Sequence, residues 1–270
     1  MGTQSNRKFA VITGASSGIG YELAKQCIEN NFDVLVCAED SAITEAATRL
    51  QAHAKGTIAQ AVTADLATRE GVEQLFAAIQ SMHRPVDALI LNAGVGLGGN
   101  FVETDLEREL RMIALNCNHT VHLAKLVLPL MVKRGEGRVL MTGSVVSTAP
   151  NPFQAVYGAT KAFVMSFGEA LRYELKDTGV TVTVLQPGAT DTEFFERAEL
   201  MDTKVGQAEK DDPALVAKQG FEAMMDGKSS VLGGGIKSRM EGMMNEVLPE
   251  TVKAAQVGKQ TEPGSAKPKA

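Results

Sequence analysis

Short runs of consecutive apolar residues alternate along this chain with longer stretches in which apolar residues recur every three or four positions. Lys8-Phe-Ala-Val-Ile-Thr13 is the first short run, and its β-branched and aromatic content predicts a buried strand. A helical pattern follows, through Asn30. Strand patterns return at 33–38, 57–63, 87–91, 138–142 and 180–186. Between them lie helical patterns at about 41–55, 69–82, from Thr104 or Asp105 to Lys133, and 157–176. Asp212-Pro213 opens a further helix to about Asp226, with proline at its first turn, and Ser230-Val-Leu-Gly233 reads as a short last strand. Strand and helix in alternation predict an α/β fold: one Rossmann-type, doubly wound parallel sheet flanked by helices.

Two stretches break the alternation. Residues 190–212 are irregular and charged, interrupted by Phe194, Phe195, Leu200 and Met201. An insertion of that length at the ligand end of a sheet reads as a lid. Ile236 to Leu248, rich in methionine, has the pattern of a short amphipathic helix. Beyond about Thr251, lysine, glycine and proline without periodicity predict a disordered tail over 251–270. There is no internal repeat or linker, so residues 1–250 are expected to form one domain.

Composition narrows the partners more than the chemistry. Of 270 residues, 44% are hydrophobic and 22% charged, as in ordinary globular proteins. A formal charge of −5 gives no reason to expect nucleic acid or an anionic membrane as partner. No apolar run reaches the length of a membrane span, and no signal-peptide pattern opens the chain. Cys27, Cys37 and Cys117 lie in apolar segments and read as buried reduced thiols, so a cytoplasmic protein is expected. His119 and His122, three apart on a helix, read as packing or surface residues, and no metal site is expected.

The residues with the most chemistry are Tyr157-Gly-Ala-Thr-Lys161. On a helix, Tyr157 and Lys161 share a face. A free phenol titrates near pH ~10 and is a poor catalyst at neutral pH; a nearby ammonium lowers that value toward the useful range. Ser144, at the end of the 138–142 strand, can hydrogen-bond a substrate oxygen from the other side. The spacing alone is weak, because Tyr21-Glu-Leu-Ala-Lys25 repeats it. A second signal is Gly14-Ala-Ser16-Ser17-Gly18-Ile19-Gly20, a glycine turn between strand and helix. Such a turn lets backbone approach a phosphate at the positive end of a helix. This turn, Asp65, Asn92 to Gly94 and Ser144 all fall at predicted carboxyl ends of strands, where ligands bind in such sheets.

Taken together, these motifs resemble the short-chain dehydrogenase/reductase family in its compact single-domain branch. The match covers about 1–235: Thr13 to Gly20, Asp65-Leu66, Asn92-Ala93-Gly94, Asn116, Ser144, Tyr157 to Lys161, and Pro187-Gly188 with Thr192. The resemblance implies an NAD(P)(H)-dependent oxidoreductase acting on a secondary alcohol or ketone, with Tyr157 as general acid and base. It implies that Lys161 lowers the phenol's pKa and holds the nicotinamide ribose, that Ser144 orients the substrate oxygen, and that Asn116 maintains a water relay to Lys161. Asp65 with Leu66 would meet the adenine, Asn92, Ala93 and Gly94 the cofactor near the fourth strand, and Thr190 and Thr192 the carboxamide region. It also selects Tyr157 over Tyr21. Gly143 departs from the pattern where a second serine is common, and His119 where a glycine is common.

The remaining expectations concern choice and assembly. Glu39, just past the second strand, can accept hydrogen bonds from a ribose hydroxyl and repel a 2′-phosphate, which favours NAD over NADP; a remote base such as Arg49 could reverse this. The walls expected for the substrate pocket are Val95 to Leu97, Val145, Val146, Pro152, Phe153, Gln154, Phe194 and Phe195, mostly apolar. Apolar faces on the helices from Asp105 and Tyr157 lead to an expected homodimer or homotetramer. The competing readings are a non-catalytic cofactor-sensing or binding protein on the same fold, and a lyase or epimerase using the nicotinamide transiently.

Overall fold

The structure, a computed structural model, describes residues 7–236, 238–240 and 249–266. Its strands are β1 (Lys8–Thr13), β2 (Phe32–Ala38), β3 (Ala59–Thr63), β4 (Ala88–Leu91), β5 (Gly137–Thr142), β6 (Val180–Pro187) and β7 (Ser230–Gly233). They form one sheet in the order β3-β2-β1-β4-β5-β6-β7, every pairing parallel. β1, β2 and β4 are almost wholly buried, which is why they read as continuous apolar runs: helices cover both faces of a parallel sheet. The order reverses between β1 and β4, and the crevice at that reversal is where such sheets take ligands.

The helices are α1 (Gly18–Glu29), α2 (Ala42–His53), α3 (Arg69–Ser81), α4 (Leu106–Ile113), α5 (His119–Arg134) and α6 (Ala155–Glu174), and then α7 (Phe194–Arg197), α8 (Lys204–Gln207) and α9 (Pro213–Met225). On one face, Leu23 and Ile28 of α1, Ile43 and Leu50 of α2, and Val216 and Phe221 of α9 close a core against the sheet. On the other, Val72 and Leu75 of α3, Leu123 and Val127 of α5 and Val164 of α6 do the same. The expected long helix from Asp105 is interrupted. Asp105 caps α4 by accepting from the Arg108 N–H at 2.9 Å, but Ala114–Asn118 form a π turn before α5. π turns inside helices often sit at functional sites, and this one contains Asn116.

The 190–212 segment is closed at its base. Thr190 bridges Asp211, the Asp191 N–H donates to the Asp211 carbonyl at 2.8 Å, and the Asp211 N–H donates to the Ala189 carbonyl at 2.8 Å. It is therefore a compact loop carrying α7 and α8 rather than a structureless insertion.

The tail expected to lack structure is a helix over Glu250–Thr261, here the C-terminal helix. Its lysines misled the reading: Lys253 is buried, and its Nζ donates to the Thr148 carbonyl at 3.0 Å and to Glu250 Oε1 at 2.9 Å. Thr261 Oγ1 donates to the Pro152 carbonyl at 2.7 Å, and the Gly264 N–H donates to Asp202 Oδ2 at 2.8 Å. Most of the helix expected from Ile236 to Leu248 lies outside the described residues.

Candidate active site

A cleft of about 720 Å³ opens at the carboxyl ends of the strands. The residues assigned to catalysis or cofactor binding from the sequence line it, except Asp65 and Asn116, the latter standing beside Gly94.

The glycine turn is built by hydrogen bonds from the strand ends. The Gly14 N–H donates to the Cys37 carbonyl at 2.8 Å. Asn92 Nδ2 donates to the Thr13 and Gly14 carbonyls at 3.2 and 3.1 Å, while its Oδ1 accepts from Thr142 Oγ1 at 3.0 Å. Asn92 thus ties β1, β4 and β5 together at the switch point. Gly14 and Gly18 have φ of 67° and 56°, a region that disfavours side chains. A Cβ on Gly18 would stand 2.9 Å from Thr192 Cγ2, so the turn and the 190–212 segment touch across the cleft. Ser17, the N-cap of α1, spends no side-chain bond on its helix. A shallow cradle of backbone at a helix N-terminus fits a dinucleotide pyrophosphate.

At the other end stand Ser144, Tyr157 and Lys161, each at most 8% exposed. Ser144 caps the short 3-10 turn Val145–Thr148: its N–H donates to Ser147 Oγ at 3.1 Å and its Oγ accepts from the Val146 N–H at 3.4 Å. A Cβ on Gly143 would approach Val184 Cγ1 to 3.1 Å and Ser147 Oγ, which fixes Ser144, to 3.2 Å, so a side chain there would require these neighbours to shift by a few tenths of an ångström. The Ser144 side chain acts on the Tyr157 phenol, opposing the rise of its pKa. Lys161 Nζ donates to the Thr142 carbonyl at 2.9 Å and lies 5.7 Å from the Tyr157 ring centroid. Gly94 leaves the space in front, since a Cβ on it would meet Asn116 Oδ1 at 3.1 Å and Lys161 Nζ at 3.3 Å.

The electrostatics correct one expectation. In the protein alone Lys161 does not bring the phenol down. Burial raises Tyr157 to about 12, against the opposing bond from Ser144, and burial lowers Lys161 to about 8. Both groups are desolvated, and withdrawal from water penalises each charged form more than the pair recovers at this separation.

Asn116 is fully engaged: Oδ1 accepts from the Val95 N–H at 3.0 Å, and Nδ2 donates to the Val95 carbonyl and Thr160 Oγ1, both at 2.9 Å. It fixes the backbone behind Gly94. The Asn116 carbonyl, in the π turn, accepts from Thr120 Oγ1 at 2.9 Å.

Sequence reasoning missed two parts of the site. Arg111, on α4, donates to both Asp65 oxygens at 2.9 and 3.1 Å and to Glu39 Oε2 at 2.6 Å. This pairing draws the Asp65 carboxyl below its ordinary range despite the opposing effect of burial. Arg111 stands among charged neighbours on a polar helix face, and its partners are distant in sequence, so nothing local marked it. Arg49, the base named instead, stacks over the Tyr21 ring at 4.9 Å. The second omission is the C-terminal helix, whose Gln256, Val257, Lys259, Gln260 and Thr261 wall the cleft. Val252 and Val257 were a faint apolar signal, lost among lysines and glutamines. Of the expected pocket walls, Val95, Gly96, Val145, Val146, Gln154, Phe194 and Phe195 line the cleft. Leu97 packs behind Tyr157, and Phe153 and Pro152 turn toward Gly258 of the C-terminal helix.

Comparison with known proteins gives the family. Residues 8–202 match the model of the short chain dehydrogenase family. An oxidoreductase of Staphylococcus epidermidis is 32% identical over 210 residues, 77% of this chain and 89% of that one. An NADP-dependent 3-hydroxy acid dehydrogenase of Salmonella typhi is 33% identical over 219 residues, 79% and 86% of the two chains. Among solved structures, a short-chain dehydrogenase from Sphingobium yanoikuyae in complex with NADPH superposes with a TM-score of 0.78 at 29% identity, covering 88% of this chain and 93% of that one. The bulky-bulky ketone specific alcohol dehydrogenase from Comamonas testosteroni gives 0.75 at 26% identity, covering 90% and 96%. By these matches the chain belongs to the short-chain dehydrogenase/reductase family and is an NAD(P)-dependent oxidoreductase.

Proposed function

We propose that the protein interconverts a secondary alcohol and a ketone, with Tyr157 moving the proton. The observation that carries this reading is the meeting of a phenol, a hydroxyl and an ammonium at one end of a cleft whose other end is the glycine cradle. In the reducing direction the substrate oxygen accepts hydrogen bonds from Ser144 and Tyr157, and the Tyr157 proton passes to that oxygen as it becomes an alcohol. With its pKa raised to about 12 in the protein alone, the phenol holds the proton this step needs but is a weaker acid than a free phenol, so the transfer depends on Ser144 and the Lys161 ammonium stabilising the phenolate that forms. Lys161 steadies the phenolate left behind and holds the ribose. Asn116 positions Val95 and the backbone behind Gly94 and supports the proton path at Lys161. The nicotinamide cofactor supplies the hydride when bound. Gly14, Ser16, Ser17, Gly18, Ile19 and Gly20 would hold its pyrophosphate, Asp65 and Leu66 its adenine end, and Pro187, Gly188, Thr190 and Thr192 its carboxamide end. Residues 190–212 act as the lid, and Phe194, 5.3 Å from the Tyr157 ring, forms its apolar underside. The apolar walls support a bulky ketone, as in the name of the Comamonas testosteroni relative. Buried, unpaired Cys27, Cys37 and Cys117 suit a reducing compartment, the cytoplasm.

The test is a panel of ketones and alcohols run with each reduced or oxidised cofactor and followed at the nicotinamide absorbance. Turnover is expected, and Tyr157→Phe should lower kcat about a hundred- to ten-thousand-fold with cofactor affinity retained. Cofactor binding without turnover of any substrate would instead support a cofactor-sensing protein.

NAD is the favoured cofactor. Arg111 is paired with both Glu39 and Asp65, and Asp40 accepts from Ser16 Oγ of the glycine turn at 3.3 Å, so a 2′-phosphate would meet net negative charge. The repulsion is on the order of 1–4 kcal/mol at about 4 Å, depending on screening. The relatives from Salmonella typhi and Sphingobium yanoikuyae are named with NADP or NADPH, which makes this a sharp test. Dissociation constants should favour NAD, and Glu39→Arg should shift affinity toward NADP. Tighter NADP binding by the unaltered protein would refute the preference.

A further inference from the structure

Asn151 and Gln154 stand in the loop that leads into α6, one turn ahead of Tyr157, and both line the cleft. They are 5% and 6% exposed. Asn151 Nδ2 donates to Gln154 Oε1 at 3.4 Å. That leaves Asn151 Oδ1 and Gln154 Nε2 buried with no hydrogen-bond partner in the protein. Exchanging the oxygen and nitrogen of both amides changes nothing essential: one bond still joins the pair, and one donor and one acceptor still remain. Buried polar groups are paired in native proteins, and an exception calls for a functional reason.

The surroundings hold this pair in place at some expense. Gln154 is the N-cap of α6 but makes no side-chain bond to its helix. Gly158, within the Tyr157-to-Lys161 motif, has no side chain on the face where Asn151 packs; a Cβ there would lie 2.6 Å from Asn151 Cβ. Phe153, between the two amides, has φ of 60°, a strained value for a bulky residue. The turn keeps that shape because the Gly99 N–H donates to the Phe153 carbonyl at 2.8 Å and Thr261 Oγ1 donates to the Pro152 carbonyl at 2.7 Å.

We propose that Asn151 and Gln154 form a polar subsite that binds a second oxygen of the substrate, a hydroxyl near the reacting carbon. The inference rests on the alcohol/ketone reading above and adds the substrate class: hydroxyketones and the corresponding diols. A hydroxyl is the smallest group that accepts one hydrogen bond and donates another, and it satisfies both leftover atoms at once. Gln154 caps the helix that carries Tyr157, three residues ahead of it, and both line the same cleft, which places the second oxygen close to the one held by Tyr157. Terminal amide torsions are broad, and a small rotation turns either group to the ligand. The rest of the cleft wall, with Val95, Val146 and Phe194, holds the hydrocarbon body.

The experiment compares diacetone alcohol with methyl isobutyl ketone, the same skeleton without the hydroxyl. Dissociation constants are measured calorimetrically for the full chain loaded with oxidised cofactor, where no reduction occurs, and turnover is measured separately with reduced cofactor. The hydroxyketone should bind about tenfold more tightly. Gln154→Met, which keeps the length and removes the donor, should abolish the difference, as should Asn151→Leu. Unchanged cofactor affinity and melting temperature verify that the variants fold. Equal affinity of the two ketones for the unaltered protein, or a preference that survives both substitutions, overturns the subsite. Absence of turnover with a preserved binding preference overturns the alcohol/ketone reading and leaves the subsite standing.

Discussion

Tyr21 and Tyr157 share the same spacing to a lysine and have opposite surroundings. Tyr21 packs against the α1 side of the core under the Arg49 guanidinium, and Lys25 is bonded to Glu22, so Tyr21→Phe is expected to leave kcat within about twofold. Tyr157 has Ser144 on its hydroxyl and open cleft before it. A loss of activity in Tyr21→Phe comparable to that in Tyr157→Phe would contradict the assignment. His119 carries the other single-residue prediction. Its Nδ1 lies 2.8 Å from the Leu115 carbonyl, which can only accept, so Nδ1 holds the proton and Nε2 is bare and buried. Burial lowers its pKa from 6.5 to about 4. The unfolded chain therefore takes up a proton at this ring between those values while the folded one does not. Stability is complete above pH 6.5 and falls as pH drops toward 4, by about 3 kcal/mol from this group. Urea unfolding from pH 7 to pH 5 should show a steeper loss for the unaltered protein than for His119→Gln; parallel slopes would exclude the ring as the cause.

Among the elements, the C-terminal helix makes the least obvious contribution. All seven strands precede it, yet it anchors to the Thr148 and Pro152 carbonyls and to Asp202, and so bridges the loop before α6 and the 190–212 segment. Ending the chain at Leu248 should leave the sheet folded and open the mouth of the cleft. The expected result is a fall of about tenfold in kcat/KM for an apolar ketone, carried mainly by KM, because contacts made equally to substrate and transition state are what is lost. An unchanged KM would show that the helix only shields the surface.

For the whole molecule, apolar residues exposed on α4 to α6 support self-association. Leu106 is 65%, Leu110 48%, Val121 38% and Phe163 40% exposed, and the Phe163 ring stacks on Phe167 with centroids 5.7 Å apart. A face of this kind is expected to be covered by a second copy. Light scattering at micromolar concentration should report at least a dimer, and Phe163→Asp should shift it to monomer. A monomeric unaltered protein would contradict the proposal.

The period of the apolar positions by itself determined the strands, their order of alternation with helices and the parallel sheet, because burial on both faces leaves a continuous apolar run that needs no partner to be read. It also determined which residues fall at strand ends, and so the address of Gly14, Asn92 and Ser144. Only the tertiary structure decided what depends on distance through space. Arg111 reaches Asp65 and Glu39 from a different helix; Lys253 is buried because Thr148 offers it a carbonyl. The pKa values of Tyr157 and Lys161 move away from each other because desolvation depends on how the chain closes around them. Burial, pairing and leftover hydrogen-bonding capacity belong to packed surroundings, and one-dimensional spacing carries no record of them.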